Sequence, residues 1–124
     1  MQKIGIIGYG HMGRALARGL IKEGVARGEE LLICSRAEQT LALAREECGA
    51  RTTHDAAVAV AQSELLFLCV KKDVFLALAP EIAGAGLKGK TLVSFLAACT
   101  IAEHRAVLGA DVPLVRAMPT VGIA

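Results

Sequence analysis

Short unbroken apolar runs alternate along this chain with stretches in which apolar residues recur every three or four positions. Residues 3–8 carry Ile4, Ile6 and Ile7 in one strand-like run followed by glycines. Residues 12–23 place Met12, Leu16, Leu20 and Ile21 on one helical face, with Gly24 as the stop. The alternation continues with a strand at 31–35, a helix at 37–48 ended by Gly49, and a short strand at 50–53. Asp55 is placed to cap a brief Ala/Val helix reaching Gln62, and 65–70 is a wholly apolar fourth strand. A helix at 73–82 contains Pro80, which is able to break it. A fifth strand at 91–96, a helix at 101–108 and a sixth strand at 113–116 complete the pattern. Strands alternating with helices of this length predict an α/β fold: a doubly wound parallel sheet of about six strands with flanking helices.

Composition narrows the picture. The 124 residues are 54% apolar and 21% charged, which supplies a core and excludes a disordered chain. No repeat, low-complexity tract or interdomain linker divides them, so 1–124 reads as one domain. The formal charge is only +2, with no basic run, and aromatic residues are 3% of the chain with no Trp. Neither an electrostatic footprint for nucleic acid nor a stacking platform for single strands is present. No apolar stretch approaches the roughly 18 residues of a membrane span, and the N-terminus lacks the pattern of a signal peptide. The four cysteines, at 34, 48, 69 and 99, form no Cys-x-x-Cys. They read as reduced thiols in a cytoplasmic protein, with no metal-ligand spacing. The tail 118–124 has no charge and no capping signal, and reads as a cut.

The sharpest motif is Gly8-Tyr9-Gly10-His11-Met12-Gly13, which follows the first strand and opens the first helix. Gly8 allows the tight turn, Gly10 lets a pyrophosphate approach the backbone, and Gly13 permits close packing of helix on strand. The helix N-terminus then offers free N–H groups and positive dipole to the phosphates. This is the fingerprint of a Rossmann-type dinucleotide-binding domain. At the end of the second strand, where an NAD site carries Asp or Glu, stand Ser35 and Arg36. A hydroxyl and a planar guanidinium suit a ribose 2′-phosphate, so NADP(H) is expected in preference to NAD(H). Lys71 and Lys72 follow the fourth strand and are expected near the ribose and phosphates. Ala97 and Ala98 follow the fifth and leave room for a nicotinamide ring. His11 lies inside the turn, His54 precedes Asp55, and His104 is expected on a solvated helix face. No acid, base or nucleophile is evident, so the catalytic residues stay unassigned.

Taken together, these pieces resemble the pyrroline-5-carboxylate reductase family, in its N-terminal NADP-binding domain, over essentially the whole chain. The matching segments are Ile4-Gly5-Ile6-Ile7-Gly8-Tyr9-Gly10-His11-Met12, Ser35-Arg36, Leu66-Phe67-Leu68-Cys69-Val70-Lys71, Val93-Ser94 with Ala97, and Val115-Arg116-Ala117-Met118-Pro119. The resemblance implies reduction of a small cyclic imine to proline, in proline biosynthesis, with NADPH or NADH. It implies cofactor contacts from the Gly-rich turn, from Ser35 and Arg36, and from Val70 and Lys71, with Ala97 near the nicotinamide. It also implies a C-terminal helical domain, absent from this chain, that makes the homo-oligomer and much of the substrate pocket. The chain alone is then expected to be inactive. The departures are Lys72 where the family has Pro, Ala98 where it has Gly, Thr120 where it has Asn, and Asp55 where Asn is common. They lie toward the nicotinamide and substrate end, as in a diverged paralogue such as the competence-associated reductase-like proteins. The other readings are a non-catalytic NADP-binding regulatory module and a domain of a hydroxyacid-dehydrogenase-like enzyme.

Overall fold

A computed structural model describes residues 3–109 and 111–117. Six strands form one sheet: β1 (Ile4–Ile7), β2 (Leu31–Cys34), β3 (Arg51–Thr53), β4 (Leu65–Leu68), β5 (Thr91–Ser94) and β6 (Leu114–Arg116). Their order across the sheet is β3-β2-β1-β4-β5-β6. Every pairing is parallel, with Ile4 opposite both Leu31 and Leu65, and Leu65 opposite Thr91. The helices are α1 (His11–Lys22), α2 (Glu38–Cys48), α3 (Ala56–Ala61), α4 (Lys72–Gly84) and α5 (Ile101–Leu108), with a single 3₁₀ turn at Gly28–Glu30. The doubly wound α/β architecture expected from the alternation is the one observed.

The sheet is buried from both sides, which is why its central strands are apolar without alternation. In β1, Ile4 and Ile6 point into one core layer, with Leu31, Ile33, Leu41 and Ala44. Ile7 points into the other, with Leu66, Leu68, Phe75 and Ile82. Ala17, Ala44, Ala59 and Ala79 are essentially inaccessible, so small side chains let the helices lie close on the sheet.

Two local expectations change. Pro80 does not end α4, which runs on to Gly84. Phe75, Ala79 and Ile82 are buried on either side of the proline. Burying Phe75 and Ile82 contributes roughly 1.5–3 kcal/mol each, enough to offset the roughly 3 kcal/mol that an interior proline costs. His104, expected in solvent, is fully buried on the inner face of α5, its ring 5.0 Å from that of Phe75. No helix among the described residues is long and apolar enough to cross a membrane.

Candidate functional site

The strand order reverses between β1 and β4, and a parallel sheet opens a crevice beyond its carboxyl ends at such a point. The Gly-rich turn lies there. At Gly8 the backbone turns with φ +103°, and a Cβ would stand 2.5 Å from the Cys69 carbonyl oxygen. That position therefore demands glycine on both conformational and steric grounds. A Cβ on Gly13 would stand 2.1 Å from the Gly8 carbonyl oxygen, so α1 packs directly on the turn. Gly10, at the N-cap of α1, has an ordinary φ of −78° and open space where a Cβ would point. No side chain caps α1, and its first turn has no acidic residue. The orphan N–H groups and positive end of α1 thus lack a side-chain acceptor and an acidic neighbour in the first turn.

The other turn residues divide their tasks. Tyr9 is 5% exposed and turns its ring into the core, away from the crevice. Its hydroxyl donates to Glu47 at 2.8 Å and lies 3.4 Å from the Cys48 sulfur. Arg14 closes on the same Glu47 carboxylate. The Arg14 guanidinium, helped by the Tyr9 hydroxyl, holds the Glu47 carboxyl at about 2, well below its ordinary 4.5. Burial pushes the Tyr9 phenol up. His11 is exposed and Met12 half-buried in the first turn of α1.

Beyond β2 a cavity of about 250 Å³ is lined by Gly8, Ser35, Arg36, His54, Val70 and Val74 among others. The Ser35 N–H donates to the Thr53 carbonyl at 3.2 Å, and its Oγ accepts the Ala37 N–H at 3.3 Å. The hydroxyl proton remains available to a ligand, and Arg36 is exposed beside it. His54 joins this cavity with Nδ1 3.1 Å from the Ser35 carbonyl oxygen and Nε2 3.6 Å from Glu38. Sequence reasoning set His54 aside; its place just after β3, the strand beside β2, was the available signal. The Asp55 carboxylate is engaged in accepting the Ala57 N–H at 2.9 Å as the cap of α3. Burial pushes the Cys34 thiol up to about 11 and the Cys69 thiol up to about 12, as suits small apolar side chains. All four cysteines are free.

A second cavity, about 340 Å³, lies beyond β4 and β5, lined by Val70, Lys71, Lys72, Phe95, Ala97 and Ala98 together with Leu96. Val70 lines both cavities, so they adjoin as one groove over the switch point. Lys71 is the exposed N-cap residue of α4. Lys72 is drawn aside into a 2.5 Å ion pair with Glu103, whose carboxyl it holds at about 2. Arg116 donates to the Ala97 carbonyl at 2.6 Å and fixes the chain after β5. A larger cavity, about 550 Å³, is lined by Leu87–Gly89 and Val112–Pro113 residues that precede β5 and β6, at the opposite edge of the sheet from the groove. The described residues contain no group of His, Cys, Asp and Glu suited to a metal ion.

No curated protein matches the chain in sequence. Among solved structures, pyrroline-5-carboxylate reductase from Coxiella burnetii is similar, with a TM-score of 0.89 and 26% identity over 97% of this chain and 44% of that one. Plasmodium falciparum pyrroline carboxylate reductase with NADP bound has a TM-score of 0.83 and 21% identity over 96% and 42%. Prephenate dehydrogenase from A. aeolicus with NAD+ has a TM-score of 0.82 and 17% identity over 100% and 43%; this likeness, like the preceding one, is one of fold. The chain thus spans less than half the length of these structures. Residues 3–98 match the family described as NADP oxidoreductase, coenzyme F420-dependent, and the chain, with its Gly-rich turn at the switch point of a parallel sheet, belongs to that family.

Proposed function

We propose that this chain is the NADP(H)-binding domain of a reductase acting on the carbon–nitrogen double bond of a small cyclic imine. The observation that carries this reading is the uncapped N-terminus of α1 at Gly10, two residues after the Gly8 turn that lines a groove running from Arg36 to Ala97. Residues 8–13 would hold the pyrophosphate through backbone N–H groups, with Tyr9 serving by anchoring the turn. Ser35 and Arg36 would take the 2′-phosphate, which favours NADP(H) over NAD(H). Val70 and Lys71 would cover the middle of the dinucleotide, and Ala97, with no side chain beyond Cβ, would leave room for the nicotinamide. When bound, the reduced cofactor supplies a hydride. The chain's own part is to orient the ring and exclude water from one of its faces.

The imine reading is supported by the likeness to pyrroline-5-carboxylate reductases, one of them with NADP bound. Among the described residues the second cavity is lined by only two ionisable groups, Lys71 and Lys72, and Lys72 is engaged by Glu103. In this reading the groups that hold the imine and protonate its nitrogen would be those of the helical domain that the resemblance implies. In this reading the full-length protein is a cytoplasmic homo-oligomer. Calorimetric titration with NADPH and NADH tests the cofactor, and NADPH consumption by the full-length protein with pyrroline-5-carboxylate tests the substrate. Tighter binding of NADPH and turnover of the imine are expected. Equal affinities overturn the first assignment, and no turnover overturns the second.

A further inference from the structure

Residues 95–98, which follow β5, form one wall of the second cavity, and the segment 95–100 is tied down by a buried imidazole. His104 has no solvent exposure, and both ring nitrogens are bonded. Nδ1 lies 2.7 Å from the Thr100 carbonyl oxygen, which also accepts the His104 backbone N–H at 3.0 Å. A carbonyl can only accept, so Nδ1 carries the proton. In the neutral ring Nε2 then accepts from the Ser94 hydroxyl at 2.7 Å. Ser94, also fully buried, in turn accepts the Leu96 N–H at 3.2 Å. One polar chain thus runs from the Leu96 amide through Ser94 and His104 to the Thr100 carbonyl. It pins both ends of a short segment from beneath. Arg116 grips the Leu96 and Ala97 carbonyls from the side of β6.

A leucine would fill the same space on α5 with no desolvation of polar atoms, so burial alone does not call for histidine here. What the imidazole adds is direction, because a fully satisfied buried network admits one arrangement of the backbone it bonds. The backbone groups it bonds, at Leu96 and Thr100, flank Ala97 and Ala98, which line the groove. We infer that His104 and Ser94 are positioning residues that hold residues 95–100 as a preformed seat for the nicotinamide end of the dinucleotide. This rests on the cofactor reading above.

The test compares NADPH with 2′-phospho-adenosine diphosphoribose, which keeps the adenosine and phosphates but lacks the nicotinamide. Both are titrated into the chain and into His104→Leu, Ser94→Ala and His104→Gln, with circular dichroism as the check of folding. Loss of the seat is expected to weaken NADPH roughly fivefold in His104→Leu and less in Ser94→Ala. The fragment's affinity should stay within about twofold, and His104→Gln should recover part of the loss. Should His104→Leu fail to fold, Ser94→Ala, which removes one atom, gives the same comparison. Equal weakening of both ligands would show a merely structural role and overturn the inference, as would unchanged NADPH affinity in every variant. A wild-type chain that binds neither ligand would overturn the cofactor reading and this inference together.

Discussion

The Tyr9 hydroxyl donates to the Glu47 carboxylate at 2.8 Å across 38 positions of sequence, joining the Gly-rich turn to α2. The bond holds the second residue of a turn whose glycines supply no side-chain contacts of their own. Tyr9→Phe keeps the buried ring and removes only the hydroxyl, with its bond to Glu47 and its contact with the Cys48 sulfur, so Tm should fall by roughly 4 °C. Scanning calorimetry of the two proteins decides this, and an unchanged Tm would show that the ring alone anchors the turn.

The same carboxylate makes stability depend on pH with a defined sign. Glu47 sits at about 2 in the folded chain against an ordinary 4.5. A lowered folded value contributes stability that is complete above the unfolded value and lost as pH falls through the folded one. The Tm difference between wild type and Glu47→Gln should therefore be full above pH 4.5, narrow below it, and close as pH passes through about 2. A gap independent of pH would exclude the ionised carboxylate as its source.

Gly10 and Gly13 should respond oppositely to a side chain. Gly10→Val meets open space at an ordinary φ, so the fold should survive, while binding of NADPH should weaken at least about tenfold. Gly13→Ala drives a methyl against the Gly8 carbonyl and should cost about 2 kcal/mol of stability. Urea unfolding and nucleotide titration on both variants separate the two effects. A folded Gly10→Val that binds normally would move the pyrophosphate elsewhere.

Arg36→Ala should weaken NADPH about tenfold and leave NADH within about twofold, because only the former carries the 2′-phosphate. Arg36→Lys should recover part of the difference, since it keeps the charge and loses the planar fork. Parallel losses for both nucleotides would place Arg36 against a shared part of the ligand.

Alkylation of Cys34 and Cys69 should be slow at pH 8. Burial holds their thiols at about 11 and about 12, and the thiolate is the reactive form. Mass spectrometry after iodoacetamide treatment should show modification rising only toward those values or after unfolding in urea. Rapid labelling at pH 8 would mean that the strand ends open readily.

The element order, the parallel sheet and the place of the Gly-rich turn were legible in the sequence because each rests on local physics. Periods of two and 3.6 mark strands and helices, and a glycine triplet between them has few other uses. The roles of Gly8 and Gly13 could be read for the same reason. What could not be read depends on which surfaces meet. Pro80 is a helix breaker by itself, and only the burial of Phe75 and Ile82 around it keeps α4 whole. His104 between Glu103 and Arg105 reads as solvated until α5 is laid against α4 and β5, where Phe75 and Ser94 enclose it. The direction of the Tyr9 ring stays open until Glu47 arrives from α2, and His54 looks idle until β3 pairs with β2 beside Ser35. Lys72 looks like a free cation until Glu103 claims it from 31 positions away. Propensity and periodicity are properties of neighbours along the chain. Burial, ion pairing and the direction of a side chain are properties of neighbours in space, and packing alone decides those.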